Sequence, residues 1–287
     1  MPIGSPSGTS PPASISQSVS IDSRTGGRSG RSGAVTGAGS LRGTTDKPQL
    51  QAELEGQHLR YADQSLERLS VNLAWTDSAV ALAAELAKLV VGEQQVDDVQ
   101  LQVNGTQENN ALTAELMRGE DKFTLQASGA WRDRAWSGLV RSITLDESVL
   151  GQWQLQQPAT FSYRADSISL GQVCLVQQRS ALCTQGKWQS TGEIAGEATL
   201  QQLPLNRLAR LLAPELQIEG NLDGRLKLGG HTDKPVLQAR LASSRGTVKL
   251  PQDEPEGAPW AVGYQQFLTQ LAWQDDTLQA DLSMDLA

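Results

Sequence analysis

Histidine and cysteine are scarce in this chain, with two of each among 287 residues. His58 and His231 stand far apart in sequence, each beside a glycine-containing stretch. Neither has a Ser, Cys or carboxylate constellation to recommend it, so both read as surface histidines; a hydrolytic triad or a metal site would need more partners. Cys174 and Cys183 have no third metal ligand nearby. Acidic pairs occur at Asp97–Asp98, Asp253–Glu254 and Asp275–Asp276. They fall where strands end or turn, which favours solvated loops over general acid/base pairs. No enzyme activity, cofactor or metal is expected.

Bulky apolar residues are also few. Hydrophobic content is 38% and aromatic content 5%, too low to indicate a strongly apolar closed core. No stretch approaches the roughly 20 apolar residues needed to cross a bilayer. No basic-then-apolar segment marks a secretory signal. Positive charge is short as well, with a formal net charge of −8. Residues 1–44 carry +3 (Arg24, Arg28, Arg31 and Arg42 against Asp22), which leaves −11 on the rest. A nucleic-acid backbone as main partner would demand the opposite balance.

What the chain does have is a repeated phrase. Residues 45–54 read TDKPQLQAEL and residues 232–241 read TDKPVLQARL, with Gly43 and Gly230 two positions ahead. Downstream, LSVNLAW ends at Trp75 and FLTQLAW ends at Trp273. Stacked similar units repeat themselves in this way, because each solves the same packing problem. A weaker echo links FTLQASGAW (123–131) with SALCTQGKW (180–188), which place Leu, Gly and Trp at the same offsets.

Residues 1–40 are rich in Ser, Gly, Pro and Thr and cannot bury enough surface to offset chain entropy, so disorder is expected there. From residue 41 to 287 the apolar residues alternate. Val99, Leu101 and Val103, then Leu112 and Leu116, then Phe123 and Leu125 share parities, as do Ile218, Leu222, Leu226 and Leu228, and the run from Leu278 to Leu286. Period two puts apolar side chains on one face of a strand and polar ones on the other, with glycines at the breaks. The expected fold is all-β: a long curved, antiparallel-rich sheet or groove of repeated strands with one short helical insert. Residues 79–91 have helical composition but alternate, and are read as strand. Residues 204–212, PLNRLARLL, read as a short amphipathic helix that caps a sheet edge, lies on a membrane or plugs a groove. Pro214 ends it. The chain stops at Ala287 within an alternating run, which reads as a piece of a longer protein.

In VCLVQQRSALCTQ, a two-residue turn at Gln178–Arg179 would set Cys174 opposite Cys183 in a non-hydrogen-bonded pair. The Cα atoms there approach to roughly 4.5–5.5 Å, a span a disulfide can bridge in an oxidising compartment. Gln-Arg lacks the usual Gly or Asn, which leaves a wider loop open. The seven tryptophans read as half-buried closures of strand ends on the apolar face, with a sugar-binding platform as the alternative.

The run LQQLPLNRLARLLAPELQIEGNLDGRLKLGG (200–230), followed by TDKPVLQARL, resembles the TamB proteins of Gram-negative bacteria. The shared order is a leucine-proline-leucine helical insert, a paired-glycine β run, and a short phrase ending in proline. The TDKP phrases and the GxW phrases at Gly129–Trp131 and Gly186–Trp188 fit too, and the resemblance covers about 41–287. It implies a periplasmic segment of an AsmA-like, bridge-type protein anchored in the inner membrane, with an apolar groove. It further implies phospholipid transport between inner and outer membranes, and a TamA-type outer-membrane barrel as partner. The chain would be a middle section without the anchor or the TamA-contacting part.

The expected partner is therefore the phospholipid acyl chain. The expected groove lining is Val99, Leu101, Val103, Leu112, Leu116, Phe123, Leu125, Ile218, Leu222, Leu226, Leu228, Leu237 and Leu241. A scaffold that templates outer-membrane or autotransporter proteins by strand addition is the alternative. A plain structural or adhesive β-array is a third reading.

Overall fold

The computed structural model describes residues 15–22, 31–44, 47–76, 78–212, 217–250 and 260–287. The chain divides into two compact units, Met1–Gly119 and Glu120–Ala287. Both are antiparallel β-structure, as the alternation predicts, and one short helix belongs to the second.

The first unit holds β1 (Ile15–Asp22), β2 (Arg31–Thr44), β3 (Lys47–Tyr61), β4 (Gln64–Trp75), β5 (Val80–Val91), β6 (Gln94–Gly105) and β7 (Asn110–Arg118). Each strand pairs with the next in sequence, a plain meander. The boundary expected at residue 40 falls inside β2, and β1 lies within the segment expected to be disordered. Ladder pairing needs only backbone N–H and C=O groups, which small polar residues supply as well as apolar ones. Residues 79–91 form β5, so alternation outweighed helical composition.

One irregularity recurs at a single level of this meander. His58, Glu67, Lys88 and Asp97, one residue in each of β3 to β6, drop out of the ladder. His58 and Lys88 take left-handed φ of 52° and 51°. A residue of this kind shifts the alternation by one, so Leu59 shares a face with Gly56, whose Cβ would lie 3.0 Å from the Leu59 side chain. Three of the dropped charges have partners. Lys88 and Glu67 pair at 2.9 Å, and Asp97 accepts the Gly119 N–H (2.6 Å) and the Gln95 amide (2.7 Å). These bonds, Gly119 first, hold the Asp97 carboxyl below its ordinary value.

The second unit holds β8 (Asp121–Arg132), β9 (Ala135–Glu147), β10 (Gly151–Leu155), β11 (Ala159–Arg164), β12 (Ser167–Gln177), β13 (Ser180–Gln189), β14 (Ile194–Pro204), α1 (Leu205–Leu212), β15 (Gln217–His231), β16 (Lys234–Ser243), β17 (Gly246–Leu250), β18 (Trp260–Gln274) and β19 (Thr277–Leu286). Neighbours in sequence pair throughout, except where a short strand shares a long partner. Both β10 and β11 lie against β9 and β12, and β17 lies between β15 and β18 where β16 ends. The hairpins β8–β9 and β18–β19 turn through Asp133–Arg134 and Asp275–Asp276, both residues at positive φ in each. Such turns match the twist of the flanking strands, and Asp tolerates them. Asp275–Asp276 is thus a turn; Asp253–Glu254 lies outside the described residues.

Substantial contacts run between ladder neighbours, and α1 against β14 and β15 is the one packing of another kind among the described residues. The buried core is correspondingly small. One buried cluster joins Trp153, Leu203 and Leu222, with Leu145, Leu175, Leu200, Leu205, Leu208 and Leu241 packed around it, while Val140, Val173 and Tyr264 are buried outside it.

Candidate functional site

Residues opposite one another in an antiparallel ladder point to the same side, so the register defines each face. In the first unit three apolar rows cross the strands. Val35, Gly56, Leu69, Leu86, Val99 and Leu116 form one row. Gly37, Leu54, Val71, Ala84, Leu101 and Ala114 form the second, and Gly39, Ala52, Leu73, Leu82, Val103 and Leu112 the third. The opposite face carries rows such as Glu55–Ser70–Glu85–Gln100–Glu115. Val99, Leu101, Val103, Leu112 and Leu116 are therefore adjacent members of one face. The strands β4 and β5, whose leucines complete it, share the parity but needed the register to be placed.

The second unit repeats the pattern. One row runs Leu170–Gly186–Gly196–Leu228–Leu237–Trp273–Leu278, and the next runs Thr184–Ala198–Leu226–Ala239–Leu271–Ala280. A third runs Leu175–Leu182–Leu200–Gly224–Leu241–Thr269–Leu282. Phe123 and Leu125 face Leu145 and Ile143 on β9, and Ile218 faces Val248 on β17. At one end of the strands stands a row of large side chains, Trp131–Trp136–Tyr163–Ile168–Trp188–Ile194. Trp131 and Tyr163 lie 6.4 Å apart between ring centroids, and Trp136 and Phe161 5.7 Å.

At the other end sits α1. Pro204 precedes its first turn, and Leu205 and Leu208 turn onto Trp153, Leu203 and Leu222. Arg207 on the same helix donates to the Leu150 carbonyl at 2.6 Å and to the Gln177 side-chain oxygen. The helix, expected to cap a sheet edge, lie on a membrane or plug a groove, covers part of the apolar face itself. This corrects one member of the expected lining: Leu222 is 7% exposed and belongs to the core beneath α1. Leu241 packs at the margin of the same core. Trp153, expected at a half-buried strand end, is 5% exposed in that core. Leu226 is 37% exposed and stays open, and Leu278 and Leu282 reach 66% and 69%.

The opposite face of the second unit is polar and charged. Glu197 meets Arg225 and Lys227 at 3.8 and 3.7 Å, all three solvated, so the pairs contribute little to stability. Cys174 and Cys183 face each other and are disulfide-bonded, with Gln177 opposite Ser180 closing the two-residue turn. Gln178 supplies the positive φ, 51°, that Gly or Asn would normally provide. The Cα atoms are 4.0 Å apart, closer than expected.

His231 clasps two hairpin ends. Its Nδ1 meets the Asp233 carboxylate and its Nε2 lies 2.6 Å from the Thr191 carbonyl. Both partners only accept, so the arrangement suits the doubly protonated ring. The Asp233 bond first, then Thr191, raise the His231 pKa. His58 is exposed in the level of dropped residues. Among the described residues no group of His, Cys, Asp and Glu could hold a metal ion, and no helix is long and apolar enough to cross a membrane.

The family model described as TamB, N-terminal domain, matches residues 21–287. The match begins inside the low-complexity head, 20 residues before the resemblance read from the motifs. No solved structure matches the chain.

Proposed function

The chain belongs to the TamB family, whose role lies in outer-membrane assembly, and we propose that the apolar face of each unit carries phospholipid acyl chains. The observation that carries this reading is the set of continuous apolar rows in each unit, which among the described residues only α1 covers in part. A one-sided apolar sheet needs a cover, and large exposed apolar patches mark binding surfaces. Each acyl methylene moved from water onto such a face gains about 0.8 kcal/mol, so binding requires no headgroup site. The lining is the expected set without Leu222, extended by Leu69, Val71, Leu73, Leu82, Ala84 and Leu86. In this reading the chain is a non-enzymatic periplasmic segment of a bridge between the membranes. Its parent would be held in the inner membrane and would work with a TamA-type barrel.

The test is photocrosslinking in cells from Leu101 and Leu226, with Gln102 and Gln238 on the opposite faces as controls. Phospholipid adducts at the leucines alone are expected. Equal adducts on both faces, or none, would sink the proposal. A second reading, the strand-adding scaffold, draws on β19, which pairs only with β18 among the described residues and exposes Leu278, Leu282 and Leu286. Protein adducts without lipid would favour it.

A further inference from the structure

Two hairpins of the second unit carry a glycine pair at the same distance from a tryptophan at the hairpin end and differ in the residue opposite that tryptophan. In β8–β9, Trp131 faces Trp136 at the hairpin end and Gly129 faces Gly138 two positions inward. In β13–β14, Trp188 faces Ile194 at the hairpin end and Gly186 faces Gly196 two positions inward. Each glycine pair leaves a gap in the apolar face, because no Cβ stands there.

In the first hairpin the gap is filled. A Cβ on Gly129 would sit 2.5 Å from the Trp136 ring and one on Gly138 2.7 Å from it, so the indole lies over both glycines. In the second hairpin the corresponding partner is Ile194, which cannot fold back as an indole does. Beside a Cβ placed on Gly196 stand only the Gln185 carbonyl at 3.6 Å and the Leu228 Cβ at 3.7 Å, both ordinary contacts. The result is an open depression of about 410 Å³, with Ile168, Leu170, Trp188, Ile194, Leu226 and Leu228 in its wall. That volume falls in the range of small-ligand sites, about 300–1,000 Å³.

We infer that this depression, floored by Gly186 and Gly196, is a discrete seat for one acyl-chain segment. The inference rests on the acyl-chain reading of the face and goes beyond it by naming one local site. The wall selects the occupant. It is apolar apart from Thr184, since Gln185, Lys187 and Glu197 alternate to the other side of the sheet. Strands β13 and β14 are each paired on both flanks, so a polypeptide has no backbone edge to join here. A methylene chain needs none. Glycine also weakens a strand interior, and the two glycines keep the space that larger residues would fill.

Gly196→Val tests this. Its φ lies outside the left-handed region and its Cβ position is free of clashes, so the branched side chain enters the depression while suiting a strand. In the whole protein in cells, a photoreactive residue is placed at Thr184 in the depression or at Leu101 in the first unit. We expect lipid adducts at both sites in the parent. Gly196→Val should lower the Thr184 adduct at least fivefold and leave the Leu101 adduct unchanged. Gly229→Val, with open space at its Cβ position and the opposite parity to Leu228, should change neither. The melting temperature of Gly196→Val should match or exceed the parent's. Persistence of the Thr184 adduct in Gly196→Val would overturn the seat while the face reading stands, as would loss at both sites. Absence of lipid at both sites in the parent would overturn the face reading with it.

Discussion

Leu50 stands opposite Trp75 in the β3–β4 ladder, and Leu237 stands opposite Trp273 between β16 and β18. The repeated phrases therefore pair with their downstream partners in one register: Ala52 with Leu73 and Ala239 with Leu271, Leu54 with Val71 and Leu241 with Thr269. Each copy also opens alike, with Gly43 opposite Pro48 and Gly230 opposite Pro235. Both tryptophans end on the apolar face of their own unit.

That placement predicts quenching by lipid. In variants retaining a single tryptophan, phospholipids with brominated acyl chains should quench Trp75 and Trp273, each 39% exposed, and spare Trp153 beneath α1. Equal quenching of Trp153 would contradict the coverage by the helix.

Leu222 and Leu226 share a strand and a parity but not an environment. Leu222→Ala should cost about 2–4 kcal/mol, the range for a buried leucine that leaves a cavity. Leu226→Ala should cost under about 1 kcal/mol. Urea unfolding of both variants decides; equal losses would mean that α1 does not cover Leu222 in solution.

Opening the Cys174–Cys183 bridge enlarges the unfolded ensemble. For a separation of nine residues the loss is about 2–3 kcal/mol on the chain-entropy account. The Cys174→Ser/Cys183→Ser variant, compared with the oxidised parent in urea, measures it. A difference below about 0.5 kcal/mol would contradict the entropic account of this bridge.

The His231 clasp has a pH window. Its pKa is raised in the folded state, so its contribution is full below the ordinary value of 6.5 and is lost as pH rises through the elevated one. Asp233 is lowered chiefly by the same bond, so its part is present above 3.8 and is lost as pH falls through the lowered value. The Thr232 N–H, bonded to the Gly192 carbonyl at 2.8 Å, should gain exchange protection as pH falls past the raised His231 value, once intrinsic rates are divided out. His231→Gln should flatten that dependence; an unchanged profile would remove His231 from the clasp.

Much of this was legible along the chain because period two is a local property. Parity assigned Val99, Leu101 and Val103 to one side of a strand and Gln100 and Gln102 to the other. The short Cys174–Cys183 spacing named its own hairpin. The strand at 80–91 followed from alternation against composition. Leu222 was misplaced because parity says which side a residue takes and nothing about what lies on that side.

The sequence by itself determined the strands beyond residue 41, their faces, the short helix and the pairing of the two cysteines, since each depends on neighbours within about ten residues; β1 and the start of β2, in small polar sequence, it did not. Tertiary structure decided what register and packing alone can decide. It aligned the two TDKP phrases in equivalent ladders and laid α1 over Leu222 and Trp153. It also filled one glycine gap with Trp136 and left the gap at Gly186 and Gly196 open. These outcomes depend on which strand lies beside which and on where one ring or one helix comes to rest. Such contacts join residues far apart in the chain, and no local pattern records them.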